Sequence, residues 1–414
     1  MDSLGREDAD FEVLDSQGKI RVPDENGYEL KRLNLTEDEV EKFYLGFSNE
    51  ILWPICHSFL EKASLSDYSL CEEEWEIYQK VNRKYSEAVL KELEEGDLVW
   101  IHDYHLTLVP EMIRNEYPET NIALFWHIPW PPWEMFRCLP WKKEIMNGLL
   151  GSDFIGFHTS KIKNNFFLCA EMLGKAIKWK RSTVQNGDRC IKVSSVPLGI
   201  DYDLHSSLKE KEEVKNKVQY LKDEIPEKII LGVDRLDYTK GIPQRLRAFE
   251  LFLDENPEFQ GKVTLVQRIP PSSGSVKGYE VILDRIHRIE GQINGKLSKA
   301  NWTPIISFHR FLPRLEQLVP YYIVADVALV TPLIDGMNLV SKEYIANVDD
   351  GVLILSEFTG AAEELKEAII VNPFDAGEVA GAIKKALTMP EGERKYRLRK
   401  LKERVKKKGS KLVA

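Results

Sequence analysis

The sequence has few cysteines, no long apolar run and no excess of positive charge. Its five cysteines show no C-x-x-C pair and no regular spacing, which favours reduced, mostly buried thiols over a disulfide framework. No stretch approaches the roughly 18 apolar residues that a membrane-spanning helix needs, and the acidic N-terminus is unlike a signal peptide. The formal net charge of −9 gives no overall reason to expect nucleic acid. These absences together predict a cytoplasmic enzyme or binding protein.

Short apolar runs bounded by turn signals recur along the 414 residues, and helical patterns lie between them. Near-continuous β-branched runs of this length are typical of parallel strands that are buried on both faces. Alternation of strands and helices on this scale predicts doubly wound α/β units. The predicted strands are Leu98–Ile101, Ile122–Trp126, Phe154–Phe157, Val193–Val196, Ile229–Val233, Val263–Val266, Ile305–Phe308, Val327–Val330, Val352–Leu355 and Ile369–Val371.

The charged segment Asp201–Glu227 separates four predicted strands from the six that follow. We therefore expect two Rossmann-like domains, 1–205 and 206–390, that face each other across a ligand-binding cleft. Residues 391–414 form a basic helix or tail, in which Arg394–Lys411 holds eleven lysines and arginines. A solvated last helix that frays is favoured there, and binding to nucleic acid or an anionic membrane is the alternative.

Two segments that follow predicted strands suit a phosphate-bearing ligand. Arg235 and Lys240 lie on a glycine-bounded loop, and the fork of an arginine with the point charge of a lysine suits a diphosphate. The alternative is a local ion-pair network with neighbouring aspartates. Asp335, Gly336 and a predicted helix containing Glu343 follow another strand, and a helix N-terminus favours anions. Because the two acids suit hydroxyl groups, this segment favours a nucleotide-sugar.

Two further clusters leave alternatives open. The pair His102 and His105 suggests a metal site, but no cysteine or third histidine is spaced to complete one, so a polar loop is favoured. His127 is either a core histidine or part of a rigid, sugar-stacking wall that tryptophans and prolines form after it. Tyr44 and Trp53 are either core residues or part of the same wall.

Eight motifs, which follow one another along the chain, together resemble trehalose-6-phosphate synthase. Its family consists of retaining GT-B glycosyltransferases and also includes glucosylglycerol-phosphate synthases. The similarity covers roughly residues 40 to 385. The motifs are FSNEILWPICH, WIHDYHL, HIPWP, LLGSDFIGFHT, VPLGID, DRLDYTKGIPQRLRAFE, ADVALVTPLIDGMNLVSKEYIA and SEFTGAAEEL.

The resemblance implies transfer of glucose, with retention, from UDP-glucose or ADP-glucose to glucose 6-phosphate, giving trehalose 6-phosphate. Glycerol 3-phosphate as acceptor is the close alternative, and a non-catalytic nucleotide-sugar-binding regulatory homologue is the more distant one. No metal and no other cofactor is required. The expected partners are the two substrates and a second copy of the chain in a homo-oligomer, without nucleic acid or membrane.

The resemblance also implies roles for individual residues. On the donor side, Arg235 and Lys240 match positions that hold the diphosphate, and Asp335 and His127 match positions that bind hydroxyls of the transferred glucose. The implied contacts to the rest of the donor are the backbone amides near Asn338, Leu339 and Val340 for phosphate and Glu343 for ribose. On the acceptor side, Asp103 matches a sugar contact, and Tyr44 and Trp53 match positions near the phosphate.

Three departures from the family pattern affect the acceptor side. The family opens with a strand and a glycine-rich loop, whereas the first 32 residues here are acidic with single glycines, so we expect an N-terminal domain without its first strand–loop–helix units. Ser273 stands where the family has an arginine, although Arg268 is close in sequence. The basic tail lacks the aromatic closing helix of the family. The donor half is therefore expected to be intact and the acceptor half depleted.

Overall fold

The computed structural model describes residues 19–21, 29–65, 68–225, 227–271 and 277–409. The chain divides into two compact units. The first comprises Met1–Trp126, Pro131–Gly156 and Asn165–Ser194, and the second comprises His127–Trp130, Phe157–Asn164 and Ser195–Ala414. The domain bounds predicted at residues 205 and 390 stay a prediction.

The first unit is built on a six-stranded sheet in the order β3-β4-β5-β8-β7-β6, and β1 and β2 form a separate antiparallel pair. Its β3 and β4 are parallel, and β7 is antiparallel to both β6 and β8. The strands are β1 Lys19–Arg21, β2 Glu29–Lys31, β3 Leu98–His102, β4 Asn121–Trp126, β5 Phe154–Phe157, β6 Ala176–Lys178, β7 Thr183–Asn186 and β8 Arg189–Ser195.

Helices of the first unit follow local signals in the sequence. Thr36 and Glu39 form a capping box, which starts a short α-helix that continues as a π-helical segment, Val40–Leu52. The longest helix carries apolar residues three and four apart, so one of its faces is buried. The α-helices are α1 Glu37–Glu39, α2 Trp53–Cys56, α3 Tyr68–Glu92, α4 Val109–Glu116, α5 Trp133–Phe136, α6 Lys142–Leu149 and α7 Ser160–Met172.

The edge strand β3 differs from the fully buried strands that the apolar runs predict. Its residues alternate between exposed and buried, and Leu98 and Trp100 are 64% and 58% exposed. Alternation with a period of two means that only one face of this strand contributes to the core.

The second unit contains a six-stranded, all-parallel sheet in the order β11-β10-β9-β12-β13-β14. The chain starts in the middle at β9, runs outward to β11 and then returns to β12, which is the Rossmann strand order with its switch point between β9 and β12. The strands are β9 Lys228–Val233, β10 Val263–Arg268, β11 Ile305–Phe308, β12 Val327–Val330, β13 Val352–Ser356 and β14 Ile369–Val371.

Helices cover both faces of this sheet. Alternate strand residues belong to two different hydrophobic clusters, with Ile230 and Leu329 in one and Leu231 and Ala328 in the other. The sheet is therefore buried on both sides, as near-continuous apolar strands require. The helices are α8 Tyr202–Leu208, α9 Glu212–Glu224, α10 Ile242–Glu255, α11 Lys277–Leu297, α12 Leu315–Val324, α13 Leu339–Asn347, α14 Ala376–Leu387 and α15 Glu391–Gly409.

The last helix, α15, is packed on one side although its composition is strongly basic. Leu398, Leu401 and Val405 are buried in the same hydrophobic cluster as α13. Arg404 forms a two-pronged ion pair with Glu367. The solvated, fraying helix expected from the sequence is thus replaced by one that is anchored along an apolar stripe. None of the helices in the described ranges is both long and apolar enough to cross a membrane.

Candidate active site

The loops after β9 and β12 meet at the switch point of the second sheet. β9 pairs with β12 in parallel, so their carboxyl ends lie side by side. The loop after β9 carries Arg235 and Lys240, and the loop after β12 carries Asp335 and Asn338. Ligands of doubly wound sheets bind at this position, because the two loops diverge there and leave a crevice.

Lys240 and Asp335 join the two loops directly. Lys240 Nζ lies 2.7 Å from Asp335 Oδ2, and both side chains are largely buried. Burial lowers the pKa of Lys240, but Asp335 and Asp237 raise it more, so the pKa is raised overall. Arg235 is exposed and close enough to Lys240 to oppose its charge. The structure thus places the two cations near each other, and the ion pair of Lys240 is with Asp335 on the other loop; binding of a diphosphate stays a prediction.

A buried arginine on α10 ties three strand ends together beneath these loops. Arg245 Nη2 donates to Asp234 Oδ2 at 2.5 Å, its Nη1 donates to Gln267 at 3.1 Å, and its Nε donates to Thr331 at 3.0 Å. Asp234, Gln267 and Thr331 lie at or just past the ends of β9, β10 and β12. Burial raises the pKa of Asp234, and Arg245 opposes that rise. Sequence reasoning missed Arg245, because nothing in a helical arginine indicates that its side chain points inward.

The N-terminus of α13 follows Asp335 with special backbone geometry. Asn338 has a φ of 76°, and its side chain accepts a hydrogen bond from the N–H of Ser341 at 3.1 Å. Asn338 also donates to Asp335 at 3.3 Å. Leu339 and Val340 form the first turn of the helix, where N–H groups have no intrahelical acceptor. This arrangement gives the anion-favouring helix start that the sequence predicts.

Glu343 lies one turn further along α13. Its Oε2 accepts a hydrogen bond from the hydroxyl of Tyr322 at 2.7 Å. Burial raises the pKa of Glu343, and the Tyr322 hydroxyl opposes that rise. Tyr322 belongs to α12 and is fully buried, and sequence reasoning did not single it out.

The loop after β12 packs tightly against the segment that contains His127. A Cβ added at Gly336 would collide with the backbone carbonyl of His127, and one added at Gly360 would collide with the carbonyl of Gly336. His127 is half-buried, and its ring lies 5.7 Å from that of His158. Burial, followed by the charge of His127, lowers the pKa of His158 to about 3, so His158 is a neutral neighbour. His127 is therefore a half-buried residue beside the loop after β12, and its contact with a sugar stays a prediction.

The acceptor-side residues gather around one turn of the first unit. Asp103 has a φ of 67° and a ψ of 179°, a conformation that costs a non-glycine residue on the order of 1–3 kcal/mol. The turn Tyr104–Leu106 follows it. Tyr44 stacks on His105 with ring centroids 5.5 Å apart, and Trp53 packs 5.8 Å from Tyr104. The structure thus brings Asp103, Tyr44 and Trp53 to one locus.

The indole N–H of Trp53 is buried and has no hydrogen-bond partner among the described residues. A buried donor of this kind is uncommon, because leaving it unpaired costs about 1–3 kcal/mol. Tyr104 next to it is fixed by its own hydroxyl, which donates to Asn49 at 2.8 Å. The indole N–H is thus a buried donor that the described part of the chain leaves unsatisfied.

The histidines of this turn are not arranged as a metal centre. Burial lowers the pKa of His105 to about 3, and its ring lies 4.0 Å from that of Tyr104. The ring of His102 packs against Trp100. Within the described ranges, no group of three or more histidine, cysteine or acidic side chains is placed to hold a metal ion. His105 is thus packed against aromatic rings instead of lining an open polar loop.

Ser273, which stands where the family has an arginine, lies outside the described residues. Arg268, the nearby candidate to replace the guanidinium, is buried at the end of β10. Its guanidinium lies 5.2 Å from the ring of Phe308 and 5.1 Å from that of Tyr321, and it donates to the carbonyl of Arg310 at 2.7 Å. The Arg268 side chain is therefore engaged with the end of β11 and the first turns of α12.

Known proteins are similar to this chain over most of its length. The chain is 44% identical over 386 residues to a bifunctional trehalose-6-phosphate synthase/phosphatase of Thermoproteus tenax, covering 92% of this chain and 52% of that protein. It is 38% identical to the UDP-forming alpha,alpha-trehalose-phosphate synthase of Candida albicans, covering 94% of this chain and 81% of that one. The chain thus spans about half the length of the first relative and about four fifths of the second.

Two solved structures show the same fold. One is a trehalose-6-phosphate protein of E. coli bound with UDP-2-fluoro glucose, with a TM-score of 0.89, 33% identity, and coverage of 95% of this chain and 86% of that one. The other is the UDP-forming synthase of Burkholderia xenovorans in complex with glucose-6-phosphate, with a TM-score of 0.87, 32% identity, and coverage of 92% and 84%.

The two α/β units and the switch-point site define a glycosyltransferase of the GT-B fold. The sequence pattern of glycosyltransferase family 20 matches residues 6–412. The chain belongs to this family, which confirms the α/β fold class and the resemblance to trehalose-6-phosphate synthases. The roles implied for individual residues stay predictions.

Proposed function

We propose that this chain transfers glucose with retention from UDP-glucose to glucose 6-phosphate, which yields trehalose 6-phosphate and UDP. The observation that carries the proposal is the switch-point cluster, in which Lys240, Asp335 and the start of α13 converge within hydrogen-bonding distance. Cations and helix N–H groups suit a diphosphate, and carboxylates suit the hydroxyls of a sugar and a ribose. Family membership and the relatives that form UDP support the same reaction.

On the donor side, Arg235 and Lys240 bind the diphosphate together with the backbone N–H groups of Leu339 and Val340. Lys240 already contacts Asp335, so the diphosphate and the carboxylate share this cation. Asp335 and His127 bind hydroxyls of the transferred glucose, and Glu343 binds the ribose. Asn338 fixes the geometry of the helix start.

The chemistry follows from these placements. The bond between the anomeric carbon and the diphosphate oxygen breaks, and the negative charge that develops on that oxygen is stabilised by the cations and N–H groups. The acceptor hydroxyl attacks on the face from which the diphosphate departs, which retains the configuration. Its proton passes to the departing phosphate oxygen. No carboxylate nucleophile is needed, and positioning of the two substrates supplies much of the rate.

The acceptor side uses the strained turn of the first unit. Asp103 accepts a hydrogen bond from a hydroxyl of the acceptor sugar. The indole N–H of Trp53 donates to a phosphate oxygen, which provides the partner that it lacks among the described residues. Tyr44 donates from its hydroxyl to the same phosphate.

An assay of the purified chain tests this function against its alternatives. UDP-glucose or ADP-glucose is combined with glucose 6-phosphate or glycerol 3-phosphate, and nucleotide release and the disaccharide phosphate are followed together. We expect turnover with UDP-glucose and glucose 6-phosphate. Turnover with glycerol 3-phosphate alone would overturn the proposed acceptor, and donor binding by calorimetry without turnover would favour a regulatory homologue. Trp53→Phe, which keeps an aromatic ring of smaller size and removes the N–H, should raise the KM for glucose 6-phosphate and leave that for UDP-glucose unchanged.

Cytoplasmic location and homo-oligomer formation complete the proposal. The composition and the absence of cysteine pairing in the sequence support the first. Light scattering of the purified chain measures the second, and a monomeric mass over the working concentration range would contradict it.

A further inference from the structure

We propose that Tyr322 is a positioning residue that holds Glu343 in the orientation needed to bind the ribose of the donor. It would thereby set the preference of this chain for ribonucleotide over deoxyribonucleotide donors. The inference rests on the proposed function, since it assigns a supporting residue to the same donor site. The resemblance assigns no role to Tyr322.

The geometry of the pair carries the argument. Tyr322 is fully buried in α12, in a hydrophobic cluster that also contains Val233, Val330 and Tyr344. Close packing in such a cluster restricts the positions that the ring can adopt. In its position here, the hydroxyl donates to Glu343 Oε2, 2.7 Å away. The fully buried tyrosine thus contacts a glutamate whose side chain is only half-buried.

One hydrogen bond from Tyr322 still leaves Glu343 able to bind a ligand. An ionised carboxylate has about four acceptor positions, of which the tyrosine takes one. The other oxygen, Oε1, remains available to accept from two neighbouring hydroxyls, which is the pattern that a ribose presents. Because glutamate has three rotatable side-chain bonds, an anchored Oε2 greatly reduces the orientations that Oε1 can adopt. The anchor therefore makes the ribose contact specific.

The same hydroxyl helps to keep Glu343 charged. Burial raises the pKa of Glu343, and the bond donated by Tyr322 works against that rise. Removal of the hydroxyl would thus raise the pKa further, and a protonated carboxyl accepts hydrogen bonds less well than a carboxylate. Loss of the tyrosine hydroxyl should consequently weaken ribose binding as the pH falls.

Calorimetric binding of UDP and of 2′-deoxy-UDP tests the inference without requiring turnover. We expect the wild-type chain to prefer UDP by about 10-fold or more, as is typical of a hydrogen bond to a charged group. Tyr322→Phe should reduce this preference to within about threefold, and Glu343→Gln should do the same. The double variant should show no additional loss, because the two residues act through one contact.

Tyr344→Phe is the matched control. Tyr344 is a buried tyrosine on α13, and its hydroxyl donates to the carbonyl of Ala325 at 3.2 Å rather than to Glu343. Its removal should lower stability while leaving the preference for UDP at the wild-type value. A merely structural role for Tyr322 predicts that both tyrosine variants behave alike.

The pH dependence gives a second readout. In Tyr322→Phe, the acid side of the binding profile for UDP should move to higher pH, and the profile for 2′-deoxy-UDP should move less. An unchanged preference for UDP in Tyr322→Phe, with a folded protein, would overturn the inference and leave the proposed function intact. A wild-type chain that binds no UDP would overturn the proposed function and the inference together.

Discussion

Replacement of Arg245 by methionine should destabilise the second unit more than replacement of most other arginines in that unit. The variant keeps much of the side-chain volume but removes the three hydrogen bonds to Asp234, Gln267 and Thr331. Both members of the ion pair have side chains no more than 3% exposed, so Asp234 would remain buried without a counter-charge. Breaking a buried pair by removing one partner costs about 3–5 kcal/mol.

Urea unfolding followed by tryptophan fluorescence measures this loss as a shift of the midpoint. Arg247→Met is the matched control on the same helix, because Arg247 is 46% exposed and pairs with Glu250 at the surface. Exposed pairs contribute about 0–1 kcal/mol, so this variant should unfold close to the wild-type midpoint.

A second variant separates the charge from the packing. In Asp234→Asn combined with Arg245→Met, no buried charge is left without a partner, so the double variant should be more stable than the sum of the two single losses predicts. Two results would refute the argument that this pair holds the strand ends together. One is an Arg245→Met variant that loses less than about 1 kcal/mol of unfolding free energy, and the other is a double variant whose loss equals the sum of the two single losses.

Three further predictions concern the site and the core. Gly336→Ala should lower UDP affinity at least 10-fold by titration, because its Cβ collides with the His127 carbonyl, whereas Gly381→Ala has open space and should bind normally. Lys240→Met should lower kcat/KM in the UDP-release assay by about 10²–10³, as loss of a charge-stabilising donor does, and a loss below threefold would contradict its role. Burial, followed by neighbouring acids, raises the pKa of Glu74 from 4.5 to about 7. The free energy of unfolding therefore includes a term of roughly 3 kcal/mol from Glu74 that is complete below pH 4.5 and lost as the pH rises through 7. Glu74→Gln should make the free energy of unfolding, measured with urea, less dependent on pH over this range.

The strands were predictable because their signal is local. Each of the ten apolar runs is a strand in the structure, with ends that differ by at most a few residues, as with Val193–Val196 against Arg189–Ser195. The short strands β1, β2, β6 and β7 were missed, since their residues are mixed in polarity. The helix after Asp335 was predictable too, because a strand, a turn and a helix start follow one another there.

The supporting residues of the site were not predictable from this sequence. Loop residues that follow a strand can be recognised from a sequence motif, as with Arg235, Lys240 and Asp335. Arg245 and Tyr322 lie inside helices, and their partners are brought close only by the folded sheet. Position along the chain carries no information about which way such a side chain points, so long-range pairs of this kind need coordinates.

The contact between Lys240 and Asp335 has a consequence for how the donor enters. Lys240 and Asp335 already neutralise each other. On the proposed function, an arriving anionic nucleotide therefore replaces Asp335 as the partner of Lys240 instead of binding to an unpaired cation. The exchange also frees the aspartate at the moment when sugar hydroxyls are delivered beside it. On the proposed function, inorganic phosphate or chloride, which bring no sugar hydroxyls to Asp335, should therefore bind here more weakly than a nucleotide-sugar.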